Sequence, residues 1–291
     1  MRRTLAAFGI LVALAIPQPG HGSDSPVVAA ARQVEADLGA RVGLFIEDTG
    51  SGEVWQYRAD ERFPMASTFK VLACAALLAR ADAGTENLGR QVEIGQRDLV
   101  PHAPVTEARV GERMSLHALC EATMQVSDNT AANKVLDALG GPAAVTDFAR
   151  SLGDATTRLD RREVDLNEGA PGDPRDTTAP ASMAASLRIL VLGEALSAES
   201  RAQLTRWLVG NAVGGPLLRA AIPGDWRIGD RTGAGGHGTR GIVAVLWPPR
   251  RAPLVVVVYL TGTAASMEAR NAAIAAIGTA LVETIAATTG G

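Results

Sequence analysis

The chain has 291 residues with 28 Lys and Arg against 31 Asp and Glu, a formal charge of −3, and 47% apolar and 20% charged positions. That length and balance suit a soluble globular protein with one large domain or two closely packed halves. No basic cluster recurs at helix spacing, so nucleic acid is excluded as a partner on electrostatic grounds.

In chain order, Arg2 and Arg3 precede an apolar run from Leu5 to Ile16, then Pro17, Pro19 and the small residues Gly20 and Gly22. This order is that of a secretory signal peptide cleaved near Gly22, a Sec-type leader rather than a twin-arginine one. The run is too short to span a bilayer and no later segment is long enough, so stable membrane insertion is not expected. Val27 to Leu38 reads as an amphipathic helix. Arg41 to Ile46 and Glu53 to Tyr57 read as strands joined by the turn residues Asp48 to Gly52. From Ser67 to about Leu204 the pattern is almost wholly helical, with apolar stripes at Phe69 to Leu78, Leu116 to Met124 and Ala131 to Leu139. One charged, Gly- and Pro-rich stretch without periodicity interrupts it, from Arg158 to Asp176; loops of that length are often functional. Strands return at Trp226 to Asp230, Ile242 to Trp247 and Leu254 to Leu260, the last nearly all β-branched and so buried on both faces. A helix from about Ser266 to Ala287 closes the chain.

Strands at both ends with helices between them require the termini to meet in one sheet. The expected fold is therefore α/β (α+β), with an α/β unit built from 23–57 plus 208–291 and an inserted all-helical unit at 58–207 that carries the loop 158–176. Motifs from both units should converge in a cleft between them. The only cysteines, Cys74 and Cys120, lie seven residues after Ser67 and seven before Ser127. In an exported chain a bridge is the first reading, tying two helical segments together for roughly 4 kcal/mol in the chain-entropy model. Two buried free thiols are the alternative.

Three short motifs carry the chemistry. Ser67-Thr68-Phe69-Lys70 sets a hydroxyl one helical turn from an amine. Ser127-Asp128-Asn129 adds a second hydroxyl with amide and carboxylate support. Arg231-Thr232-Gly233 adds a cation followed by glycine. Between the second and third, Glu163 and Asn167 lie on the non-periodic loop. A serine attacks a carbonyl only when something removes its proton. After the leader the chain has only His102, His117 and His237, and no Gly-x-Ser-x-Gly elbow, which leaves a histidine triad without support. No His pair or Cys pair has zinc spacing, so no metal or other cofactor is expected. Lys70 is the local base or relay, provided burial or neighbouring cations lower its pKa.

The three motifs in this order make the sequence resemble the class A serine β-lactamases. The likeness extends to Asp98-Leu99-Val100, Pro104 to Glu107, Asp128 to Asn133, Leu159 to Arg161, Arg175 to Thr178 and Gly215 to Arg219, covering essentially the whole chain after the leader. Both cysteines fall where many members carry a disulfide. The resemblance implies an antiparallel five-stranded sheet flanked by helices, and small-molecule β-lactams as substrates. It implies Ser67 as nucleophile, Lys70 and Glu163 (through a water) as general bases, Asn167 as orienter of that water, and Ser127 as proton donor to the leaving nitrogen. The backbone N–H groups of Ser67 and Ala234 would form the oxyanion hole. Asn129 would bind the substrate's side-chain amide, while Arg231, Thr232 and Arg240 hold its carboxylate and Gly233 also lies at the substrate site. Arg161 and Asp176 would close the base of the loop as an ion pair.

The chain also departs from the family. Arg231 stands where most members have Lys; it keeps the charge but cannot serve as a neutral amine. A carbenicillin-hydrolysing subgroup shares this change. Val164 follows Glu163 where many relatives have Pro in a cis peptide. His102 stands at the place of an aromatic gatekeeper, or is an exposed loop residue. Gly235 and Gly236 lack the side chains associated with wider cephalosporin activity, which points to a penicillinase-like spectrum. The chain is expected to work as a periplasmic monomer. A D-Ala-D-Ala peptidase and a non-catalytic β-lactam sensor are the alternatives; Glu163 with Asn167 argues against the first, and the lack of a tethering membrane segment against the second.

Overall fold

The computed structural model describes residues 25–289, so the leader read at 1–22 lies outside the described residues. Helix α1 (Pro26–Leu38) starts at Ser25, whose side chain caps the Val28 N–H, has Pro at its first turn and stops at Gly39 with φ +54°. Those are the start and stop signals its backbone requires. Strands β1 (Arg41–Asp48) and β2 (Val54–Tyr57) follow as a hairpin, then the two-residue β3 (Phe63–Pro64). A 3₁₀ turn, Ala66–Phe69, leads into α2 (Lys70–Asp82). Next come β4 (Gln91–Glu93), β5 (Arg113–Ser115), α3 (Leu116–Val126), α4 (Asn129–Leu139) and α5 (Pro142–Ser151). After the long loop lie β6 (Thr177–Thr178), α6 (Pro180–Leu192) and α7 (Ala198–Val209). The chain ends with β7 (Arg227–Ala234), β8 (Arg240–Trp247), β9 (Leu254–Thr261) and α8 (Met267–Thr289).

The main sheet has five strands in the order β2-β1-β9-β8-β7, every neighbour antiparallel, so both ends of the chain meet along β1 and β9 as expected. The β9 side chains alternate between two cores. Val255, Val257 and Tyr259 face the helical core around α2, while Leu254, Val256, Val258 and Leu260 face the one beneath α1 and α8. A strand covered on both faces needs apolar residues at every position, which is why β9 shows no polar alternation.

Helix α2 is buried from Lys70 to Leu78 and runs through the helical core. Cys74 on it is bridged to Cys120 on α3, with Cα atoms 5.8 Å apart. The helical stretch is less continuous than its apolar stripes suggest. It is interrupted by the β4–β5 pair and by β6, which pairs with β3 just ahead of the stretch. The third motif also differs from expectation: the strand read to end at Asp230 continues to Ala234 and carries the motif itself. Pairing with β8, from Arg227↔Trp247 to Ala234↔Arg240, extends it through residues with no strand pattern of their own.

Candidate active site

Ser67 lies on the 3₁₀ turn and Lys70 one turn later, at the first residue of α2. The turn is fixed from behind: Thr68 Oγ1 donates to Met65 O at 2.8 Å and lies 2.8 Å from Tyr259 Oη on β9. From the front, β7 presses close. A Cβ on Gly233 would sit 2.7 Å from Met65 O and 3.2 Å from Ser67 N, so only glycine allows this approach.

The Lys70 ammonium is fully buried and has four acceptors: Ser127 O at 3.0 Å, Ser127 Oγ at 3.1 Å, Asn129 Oδ1 at 2.7 Å and Glu163 Oε1 at 3.1 Å. Burial pushes its pKa down to about 8; the Arg231 charge adds to the shift and the Glu163 carboxylate opposes it. Lys70 thus meets the condition set from the sequence.

Ser127 closes α3 in the left-handed conformation, with φ +64°, and Asp128 caps α4 through the Ala131 N–H. The buried Asp128 carboxylate also accepts from Val105 N, Thr106 N and Thr106 Oγ1, all within 3.0 Å, which ties the Ser127 turn to the preceding loop. The Ser127 hydroxyl donates to Ser67 Oγ at 3.2 Å and accepts from Lys70 Nζ and Arg231 Nη2.

Glu163 points inward and is only 4% exposed. Its Oε1 accepts from Ser67 Oγ at 3.3 Å, and its Oε2 from Asn167 Nδ2 at 2.5 Å. The Glu163-Val164 peptide is cis, with valine in place of proline. Asn133 on α4 holds the Glu163 backbone from both sides, donating to Glu163 O at 2.8 Å and accepting from Glu163 N at 3.0 Å. At the loop's base Arg161 Nε meets Asp176 Oδ2 at 2.6 Å, and Asp176 Oδ1 accepts the backbone N–H groups of Asp160 and Arg161. The stretch is not wholly irregular, since Asp165–Asn167 forms a 3₁₀ turn that sets Asn167 beside Glu163.

The open cleft measures about 320 Å³ and is lined by Ser67, His102, Ser127, Asn129, Asn167, Thr232, Gly233, Ala234 and Arg240, joined by Val213. Lys70, Glu163 and Arg231 are buried and do not line it. Arg231 has no carboxylate within 4 Å among the described residues; burial pushes its guanidinium down to about 10, still a cation at neutral pH. Arg240, also pushed down to about 10 by burial and by Arg270, donates to Asn271 Oδ1 at 2.8 Å and Gly233 O at 3.1 Å. Exposed His102 lines the rim, and its ring lies 2.9 Å from Val126 O.

Sequence reasoning gave no role to Asn133, Val213, Asp230 or Asn271. Asp230 is fully buried beside Arg231, paired with Arg219 at 2.6 Å and with Asn211 Nδ2 at 2.7 Å. Asn211 Oδ1 in turn accepts the Val213 N–H, fixing that wall of the cleft. Asp230 gave no signal, because the sequence places it at a strand end where a charge is ordinary. Asn133 and Asn271 gave none, because an amide on a helix face is ordinary until its partner is known.

A hydroxyl, a buried ammonium and an inward carboxylate joined by contacts of 3.1–3.3 Å are the equipment of an enzyme that attacks a carbonyl with serine and then hydrolyses the ester. The model of the β-lactamase enzyme family matches residues 26–285. The β-lactamase AER-1 of Aeromonas hydrophila is 50% identical over 278 residues, covering 95% of this chain and 91% of that one. Among solved structures, the ancestral (GNCA) class A β-lactamase is 56% identical with a TM-score of 0.86, covering 87% of this chain and 99% of its own. A putative class A β-lactamase, PenP from Rhodopseudomonas palustris, is 52% identical with a TM-score of 0.87, over 88% and 98% of the two chains. The chain belongs to the β-lactamase enzyme family as a class A enzyme, and its activity is hydrolysis of β-lactams.

Proposed function

We propose that the enzyme opens penicillins, and some cephalosporins, through an acyl-enzyme on Ser67. The carrying observation is that Glu163 Oε1 lies within hydrogen-bond reach of Ser67 Oγ, at 3.3 Å, with Asn167 on the other carboxylate oxygen. Ser67 Oγ attacks the lactam carbonyl carbon as its proton passes to Glu163. The N–H groups of Ser67 and Ala234 take the oxyanion, each donor worth roughly 3–4 kcal/mol. As the C–N bond breaks, Ser127 gives its proton to the nitrogen and is resupplied by Lys70, 3.1 Å away, which recovers a proton from Glu163, also 3.1 Å away. Glu163, again ionised, then takes a proton from water oriented by Asn167. The hydroxide adds to the ester carbonyl, and Ser67 leaves and regains its proton.

Asn129 suits the substrate's side-chain amide. Arg240 and Thr232, backed by the Arg231 charge, suit its carboxylate. Arg231 in place of lysine supports carbenicillin as a good substrate. A narrow spectrum is supported by the turn after β7: a Cβ on Gly235 would sit 2.7 Å from Asn167 O, and one on Gly236 2.2 Å from Glu168 O. Side chains there would push against the loop that carries Glu163. Among the described residues no helix is long and apolar enough to cross a membrane. We read the protein as a monomer secreted to the periplasm, with an α/β unit and an inserted helical unit framing the cleft.

The purified protein, followed past one equivalent of a chromogenic cephalosporin, should release product steadily. A single burst that then stops overturns the reading and fits a peptidase or a sensor.

A further inference from the structure

A cavity larger than the catalytic cleft lies outside it. It measures about 590 Å³, with one wall formed by Gly169 to Pro174 and the other by the ends of β1 and β9 together with Arg62 and Pro64. The loop is tied down on both sides of this stretch, by Asn167 O accepting the Gly236 N–H at 2.7 Å and by the Arg161–Asp176 pair. Between those ties it arches. The only backbone–backbone hydrogen bond from 169–174 among the described residues is internal, Asp173 N to Ala170 O, while Pro174 O at its end accepts from Thr177 Oγ1 at 2.6 Å. Positive φ at Gly169 and Gly172 shapes the arch, and Pro171 and Pro174 stiffen it.

The space beneath has an apolar body and one uncompensated charge. Pro64, Ala170, Pro171 and Pro174 face it. Arg41 is committed to Glu61 at 3.0 Å and stacks over the Phe63 ring at 4.0 Å, and Asp173 is committed to Arg175 at 2.7 Å. Exposed Arg62 donates only to Thr156 O and Thr177 Oγ1, with no carboxylate partner among the described residues. We propose that this cavity is a binding site for a small apolar or aromatic carboxylate, its anion on Arg62 and its body under the arch, and that occupancy slows deacylation. The coupling, but not the binding, rests on the deacylation role given above to Glu163 and Asn167. Asn167 is two residues from the arch, so a ligand that lifts Gly169 moves the amide that orients the water.

The probe is 2-naphthoate, with 2-naphthylmethanol as its neutral counterpart, titrated by calorimetry into the full enzyme. Saturable binding of the carboxylate is expected, at least tenfold weaker for the alcohol and for Arg62→Ala, and unchanged for Arg240→Ala. With saturating naphthoate, kcat for benzylpenicillin should fall at least threefold without a rise in KM. Affinity lost on Arg240→Ala but kept on Arg62→Ala places the ligand in the catalytic cleft and overturns the proposal. So does an unchanged kcat, or inhibition seen only in KM.

Discussion

Lys70 Nζ lies 3.1 Å from Glu163 Oε1, and both side chains are fully shielded from solvent. A buried ion pair contributes little net stability, because desolvation offsets the attraction. Its value here is positional. It holds one carboxylate oxygen at the Ser67 hydroxyl while leaving the other to Asn167, and it keeps an ammonium beside Ser127.

Replacing that carboxylate separates the two halves of the reaction. Glu163→Gln should deacylate roughly 10²–10⁴-fold more slowly, the usual worth of a positioned general base. Benzylpenicillin should then leave a mass increment on the intact protein for minutes. Turnover at the wild-type rate would remove Glu163 from deacylation.

The pH profile tests the state of Lys70. Its pKa is pushed down to about 8, so the amine is a cation at pH 7 and neutral at pH 9. The proposed relay needs the cation, so it predicts a kcat/KM that falls as pH rises through about 8. At pH 9 roughly one-tenth should remain. Activity that climbs through the same midpoint would mean that neutral Lys70 is the base.

Arg231 gives a specificity test. It is fully buried and donates to Ser127 Oγ, so its planar fork affects both the charge and the second hydroxyl. Arg231→Lys should lower the ratio of carbenicillin to benzylpenicillin turnover, by roughly tenfold for about 1.4 kcal/mol of lost discrimination. An unchanged ratio counts against the carbenicillinase reading.

The loop's anchor should matter to stability. Asp176 is 1% exposed, and Arg161→Ala would leave its carboxylate without a cation. The expected loss is about 3 kcal/mol, read from urea unfolding, with faster amide exchange at residues 163–167. A change below about 0.5 kcal/mol would make the pair dispensable.

Breaking the Cys74–Cys120 bridge with a double serine variant should destabilise the fold by roughly 4 kcal/mol, since it closes a 46-residue separation. Urea unfolding of the variant and of the wild type in oxidising buffer measures this. Equal midpoints in oxidising buffer would deny the bridge a structural role.

Some of this was legible from residues alone, for definite reasons. Spacing three apart on a helix start forces Ser67 and Lys70 onto one face, whatever surrounds them. Apolar patterning marks β9 as buried on both faces, and strands at both ends of the chain imply one shared sheet. That β1 and β9 are its neighbours is seen only in the fold. Other features exist only as contacts across the chain. Arg231 to Ala234 lack strand character, and β8 makes them a strand by pairing. Asn133 becomes the clamp on Glu163 only because α4 passes beneath the loop, 30 residues away. Buried Asp230 and Asn211 join the half-buried Arg219 in one network, and each is ordinary until its partners are in place. The sequence by itself determined where the motif residues lie along the chain and that its two ends share one sheet, because local periodicity and residue type carry that information. Tertiary structure alone decided their distances, protonation and unpaired charges, because those depend on what each group touches once solvent is gone.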